Sequence, residues 1–102
     1  MATRPKSPDT VMAIEVEMQA EKASALRRLG ARIESLLAEL EQLKRELATL
    51  QGPRREPCVA RYKELRAEAE KQRWYLIIQR EAMGLRQHGD LDDIYPLPPA
   101  VH

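Results

Sequence analysis

A chain of 102 residues with 32% of them charged and no Phe amounts to one small domain, unable to surround a broad core. Its 17 basic and 16 acidic residues nearly cancel, to a formal net charge of +1, which excludes a chain-wide field for polyanions or anionic membranes. No stretch approaches the roughly 20 consecutive apolar residues of a membrane span, and the single cysteine, Cys58, makes no internal disulfide; the sequence reads as a soluble, cytoplasmic protein.

Residues 1–6 read as a flexible N-terminus. "SPDT" at Ser7 to Thr10 is a helix start: Ser7 accepts hydrogen bonds from free backbone amides, Pro8 fits the first turn, and Asp9 complements the positive helix end. From there to Gln51 the chain has one Gly and no further Pro, which predicts a helix over 7–51, about 66 Å long at 1.5 Å per residue. Leu26, Leu29, Ile33, Leu36, Leu40, Leu43, Leu47 and Leu50 alternate three and four apart, the spacing of a coiled-coil seam. That spacing resembles a leucine zipper. The preceding "EVEMQAEKASA" has no basic DNA-reading region, so transcription-factor function does not follow. Upstream the stripe continues as Val11, Ile14, Met18, Lys22 and Ala25, a wider spacing that fits a stutter.

"GPRREP" predicts a turn over 52–56, because Gly52 adopts a left-handed cap and Pro53 cannot continue the helix. A second helix is expected over 57–88, opened by Pro57 and stopped by Gly89, with Gly84 inside it at a cost of up to about 1 kcal/mol relative to Ala. Its seam is Tyr62, Leu65, Ala69, Gln72, Leu76, Gln79 and Met83. A short loop between two long helices favours an antiparallel hairpin, which places Leu76 near Ile33 and Leu85 near Ala23. The remainder, 89–102, is an acidic, Pro-rich tail expected to be extended. It is expected to fold back over the N-terminal overhang of the first helix, with Ile94, Tyr95 and Leu97 across Val11, Ile14 and Met18 and Asp90, Asp92 and Asp93 near water or near Arg4 and Lys6.

"RWYLIIQREAM" is apolar on more than one side. At about 100° per residue, Trp74, Ile78, Ala82 and Leu85 form a second stripe, rotated away from Leu65, Leu76 and Met83, and one partner helix cannot cover both. The expected fold is therefore all-α: a long antiparallel helical hairpin of coiled-coil type, dimerising into a four-helix bundle, with an extended Pro-rich tail. The matching function is a non-enzymatic homodimeric adaptor or scaffold. Trp74, Ile78, Ala82 and Leu85, with Ile94, Tyr95 and Leu97 of the tail, are the candidate interaction residues. The expected partners are a second copy and another protein that takes the apolar face or the Pro-rich tail.

No catalytic residue, cofactor site or metal site is assigned. "LRRLGARIESLLAEL", "PRREPCV" and "IIQREAM" together resemble segments of the small all-helical chorismate mutases. That resemblance implies an alternative enzymatic reading, with Arg28, Arg32, Lys44, Arg55 and Gln79 as the positions that would cradle a dicarboxylate. A second alternative is weak nucleic-acid binding by the basic hairpin tip, where Lys44, Arg45, Arg54 and Arg55, with Arg61, Lys63 and Arg66 behind them, offer phosphate contacts but no base-reading chemistry. His88 and His102 are the only histidines, and they lack the spacing of a metal site. Asp90, Asp92 and Asp93 lack the Gly turn and terminal Glu of a calcium loop.

Overall fold

Two long helices packed side by side make up this all-helical protein, whose computed structural model describes residues 8–101. Residues 1–6 and the Ser7 cap lie outside the described residues, as does His102. Helix α1 spans Pro8–Thr49. It is rich in Ala, Leu, Glu and Arg, which lose little side-chain freedom in a helix. The backbone then turns extended at Gln51, with φ −132° and ψ 163°, and Gly52 takes φ +81°, a left-handed value open to a residue without Cβ. A short 3-10 turn at Gly52–Arg54 leads directly into α2, Arg55–Ala82. The Arg55 guanidinium donates to the Leu47 carbonyl at 2.9 Å, so a cation satisfies one of the free carbonyls at the negative end of α1.

Helix α2 is shorter than the sequence suggests. It ends at Ala82 rather than His88, and Gly84, not Gly89, is the stop: Gly84 has φ +92°. Its N–H donates to the Glu81 carbonyl at 3.0 Å and the Leu85 N–H to the Arg80 carbonyl at 3.0 Å. These are the paired bonds of a Schellman cap. The glycine that reads as a penalty inside a helix is therefore what ends it. A further helical turn, α3, forms at Leu91–Ile94, inside the segment expected to be extended, while residues 96–100 have no regular secondary structure.

The core follows the predicted seams. Ile33, Leu40 and Leu47, seven residues apart on α1, are buried, as are Tyr62, Leu65, Ala69, Gln72 and Leu76 on α2. Leu40, Leu47, Tyr62, Leu65 and Ala69 form one cluster; Ile33 and Leu76 form another with Leu91 of α3. From the first cluster to the second, α1 numbers fall as α2 numbers rise, as an antiparallel hairpin requires. Burial of each Leu or Ile side chain here contributes roughly 1.5–3 kcal/mol, and the polar exception, Gln72, donates from Nε2 to Glu68 Oε1 at 2.8 Å. The seam on α2 stops at Leu76, because Gln79 is exposed.

Candidate interaction surface

After the Gly84 cap the chain reverses and runs back along the hairpin. Arg80 is bonded to Asp90 at 3.0 Å and Arg73 to Asp92 at 2.8 Å. Further on, Arg66 Nε donates to the Pro98 carbonyl at 2.8 Å and the Tyr62 hydroxyl to the Pro99 carbonyl at 2.7 Å. Tail numbers rise while α2 numbers fall, so the tail lies antiparallel to α2. Leu91 is buried, and Tyr95, Leu97 and Val101 pack against the hairpin core. The expectation that the tail covers Val11, Ile14 and Met18 is thereby overturned: it fills the groove between the helices, where Leu91 seals the Ile33 and Leu76 cluster and the arginines neutralise the aspartates. Asp90 pairs with Arg80 and Asp92 with Arg73, whereas Arg4 and Lys6 lie outside the described residues.

Arg66, Arg73 and Arg80 stand seven apart on one edge of α2. That spacing, together with the acidic run at 90–93, was the sequence signal for the tail's path, and a reading focused on apolar stripes passes over it. The Arg80 guanidinium, donating to Asp90, holds that carboxyl below the usual carboxylate range. Burial raises the Tyr62 hydroxyl above its ordinary value, opposed in part by nearby Arg66. His88 sits at the start of the tail, its Nε2 3.3 Å from Glu81 Oε1.

The candidate interaction residues divide into two sets. Trp74, Ile78 and Ala82 are exposed along α2, Trp74 by 60% and Ile78 by 48%. Leu85 is also exposed, by 48%, but lies beyond the helix end, in a groove with Leu26, Leu91, Ile94 and Tyr95 rather than on the helical stripe. Of the tail positions, Ile94 is exposed, whereas Tyr95 and Leu97 turn toward the core. A second exposed apolar surface lies on α1. Val11, Met12, Ile14, Val16 and Met18 are each 40% to 67% exposed, because α2 ends before reaching them.

The positions named for a dicarboxylate cradle do not gather. Arg32 meets Glu68 at 3.4 Å, Arg55 is spent on the Leu47 carbonyl, and Lys44 is exposed toward the hairpin tip. Arg28 and Gln79 line one groove. At the tip, Arg61 lies 3.5 Å from Glu64 and 3.9 Å from Glu39, and Arg66 holds the tail, so acidic and carbonyl groups take up part of the basic patch. Among the described residues no three His, Cys, Asp or Glu side chains are grouped to hold a metal ion, and no helix is long and apolar enough to cross a membrane. The fold and its exposed stripes define the class as a two-helix hairpin with a strapped-back tail. Comparison with known protein families, curated proteins and solved structures gives no match for this chain.

Proposed function

We propose that this protein is a non-enzymatic interaction module of coiled-coil type, acting in the cytoplasm as a homodimeric adaptor or scaffold. The observation that carries this reading is the exposed Trp74, Ile78 and Ala82 stripe. The chain's own tail returns along α2 and still leaves that stripe open. Large apolar side chains grouped on an otherwise charged helix favour association, since covering them removes apolar area from water. Stripe-to-stripe packing of two hairpins would give a four-helix bundle; a stripe left open in a dimer would present two copies of an apolar face to another protein. The Pro-rich tail is a weaker candidate ligand while Pro98 and Pro99 use their carbonyls within the chain.

Sedimentation or light scattering at micromolar concentration tests the homodimer. The expected mass is twice the 11.7 kDa of one chain. A single-chain mass at every concentration would overturn the homodimeric reading.

A further inference from the structure

Residues 11–21 of α1 are exposed throughout and project as a helical arm of about 16 Å. The arm carries Glu15, Glu17 and Glu21, and its one basic residue is Lys22 at its base. Its apolar stripe, Val11, Ile14 and Met18, continues through Lys22 to Ala25 with spacings of three, four, four and three. Such a series reads the same in both directions. A two-fold interface requires one patch to match itself, and a palindromic stripe does so when two arms lie antiparallel: Met18 meets Met18, Ile14 meets Lys22, and Val11 meets Ala25.

We infer that the arm is the contact between two copies of this chain, paired antiparallel about Met18; this rests on the homodimer reading above. The charges select the direction. In a parallel pair in register, Lys22 of each arm would face the other Lys22 within the apolar stripe. In the antiparallel pair, like edges of the two helices meet, so Glu15 of one arm comes beside Lys22 of the other, twice. The opposite edge brings Glu17 near Glu21 of the other arm, a like-charge contact at a solvent-exposed rim. There is room at the far end: an open groove lined by Glu21, Lys22, Ser24, Ala25, Arg28 and Gln79 receives Val11 of the second copy. The second copy's Val11 enters beside Gln79, on the flank of α2, and the Trp74 stripe stays uncovered.

Cysteine cross-linking of the full chain in a Cys58→Ser background tests this geometry. Met18→Cys is expected to form a disulfide dimer readily, and Val11→Cys mixed with Ala25→Cys a mixed one, because these pairs face each other across the dyad. Val11→Cys alone is expected to stay reduced, since antiparallel pairing separates its two copies by about 21 Å along the helix, far beyond disulfide reach. Efficient Val11→Cys self-linking, or no mixed linking, would overturn the pairing.

Solution mass separates this inference from the reading beneath it. Ile14→Glu with Met18→Glu is expected to give single chains of unchanged helicity, as both positions are exposed, while Trp74→Glu with Ile78→Glu stays dimeric. The reverse outcome would leave the homodimer standing and remove the arm contact. A wild-type chain that is monomeric throughout would remove both. Glu21→Lys, which turns the Glu17 contact attractive, is expected to tighten the dimer roughly two- to five-fold; unchanged or weaker association would count against the arm.

Discussion

The Tyr95 hydroxyl rests directly on Gly30: a Cβ added at Gly30 would lie 2.6 Å from that oxygen. The one glycine inside α1 therefore marks where the tail lands. Gly30→Ala sets two effects against each other. Ala favours the helix by up to about 1 kcal/mol, while the rigid Tyr95 ring must move off the surface. Little change or a gain in the stability of the hairpin is expected, together with faster amide exchange at Ile94 and Tyr95, whose N–H groups bond to Asp90 and Leu91 within α3. Unaltered exchange there would show that the tail absorbs the methyl without loosening.

Leu40 is fully buried and Glu41, beside it, is exposed. Leu40→Ala should lower stability by about 2–5 kcal/mol, the transfer loss plus an unfilled cavity. Glu41→Ala should change it by less than about 0.5 kcal/mol. Denaturant unfolding measures both, and similar effects would contradict the burial of the seam.

How much of this architecture could be read from the residues depends on which force fixes each part. The hairpin was legible because Ile33, Leu40 and Leu47 repeat at seven residues against Tyr62, Leu65, Ala69 and Leu76, and apolar burial obeys the helical period. The α2 boundary was not. Gly84 and Gly89 are both acceptable stops, and the choice rests on tertiary gain: stopping at Gly84 frees enough chain for Leu91 to reach Ile33 and Leu76. The tail's path is less legible, because its direction along α2 is set by polar contacts as well as by the burial of Leu91, Leu97 and Val101. Arg66, Arg73 and Arg80 hold it through two carboxylates and a prolyl carbonyl, and a backbone carbonyl as acceptor leaves no mark in a sequence. Of the candidate surface, the Trp74 and Ile78 face was legible from helical angle alone, whereas Leu85 left that face when the helix ended before it.

Removing residues 90–102 strips Leu91 from the Ile33 and Leu76 cluster and Leu97 and Val101 from the other. A lower unfolding midpoint is expected. Amide exchange across residues 11–18 should not change, since the tail packs on the hairpin and not on the arm. Faster exchange in the arm alone would place the tail there instead.

The docked tail should loosen at both ends of the pH range. Asp90, which ties the tail to α2, has a lowered pKa in the folded chain through the hydrogen bonds from Arg80; Glu68 has one too, through the Gln72 amide, which bears on the helices rather than on the tail. An acid held more strongly ionised when folded contributes stability above its ordinary pKa, and that contribution disappears as pH falls through the lower folded value. Tyr62 has the opposite sign. Its pKa is raised by burial, so the unfolded chain ionises first, near pH 10, and stability falls as pH rises from there through the folded value. A phenolate also cannot donate to the Pro99 carbonyl. Tyr62→Phe should cost about 0.5–1.5 kcal/mol at neutral pH through the lost hydrogen bond, and should remove the part of the alkaline loss that belongs to this group. An identical alkaline profile in the variant would show that Tyr62 is not its source.

Trp74 is the only tryptophan and is 60% exposed, so its emission reports whether the α2 stripe is covered. Pairing through the arms leaves the indole in water: a dilution series that crosses from dimer to monomer should then show the same red-shifted emission throughout and the same quenching by acrylamide. Packing stripe against stripe would bury it, and emission would shift to the blue, with quenching reduced, in step with the rise in mass. The two geometries thus give opposite optical results for the same change in mass, without any substitution. A blue shift that tracks dimerisation would assign the copy-to-copy contact to Trp74 and Ile78 and refute the arm pairing; a constant spectrum would leave that stripe open for a different protein.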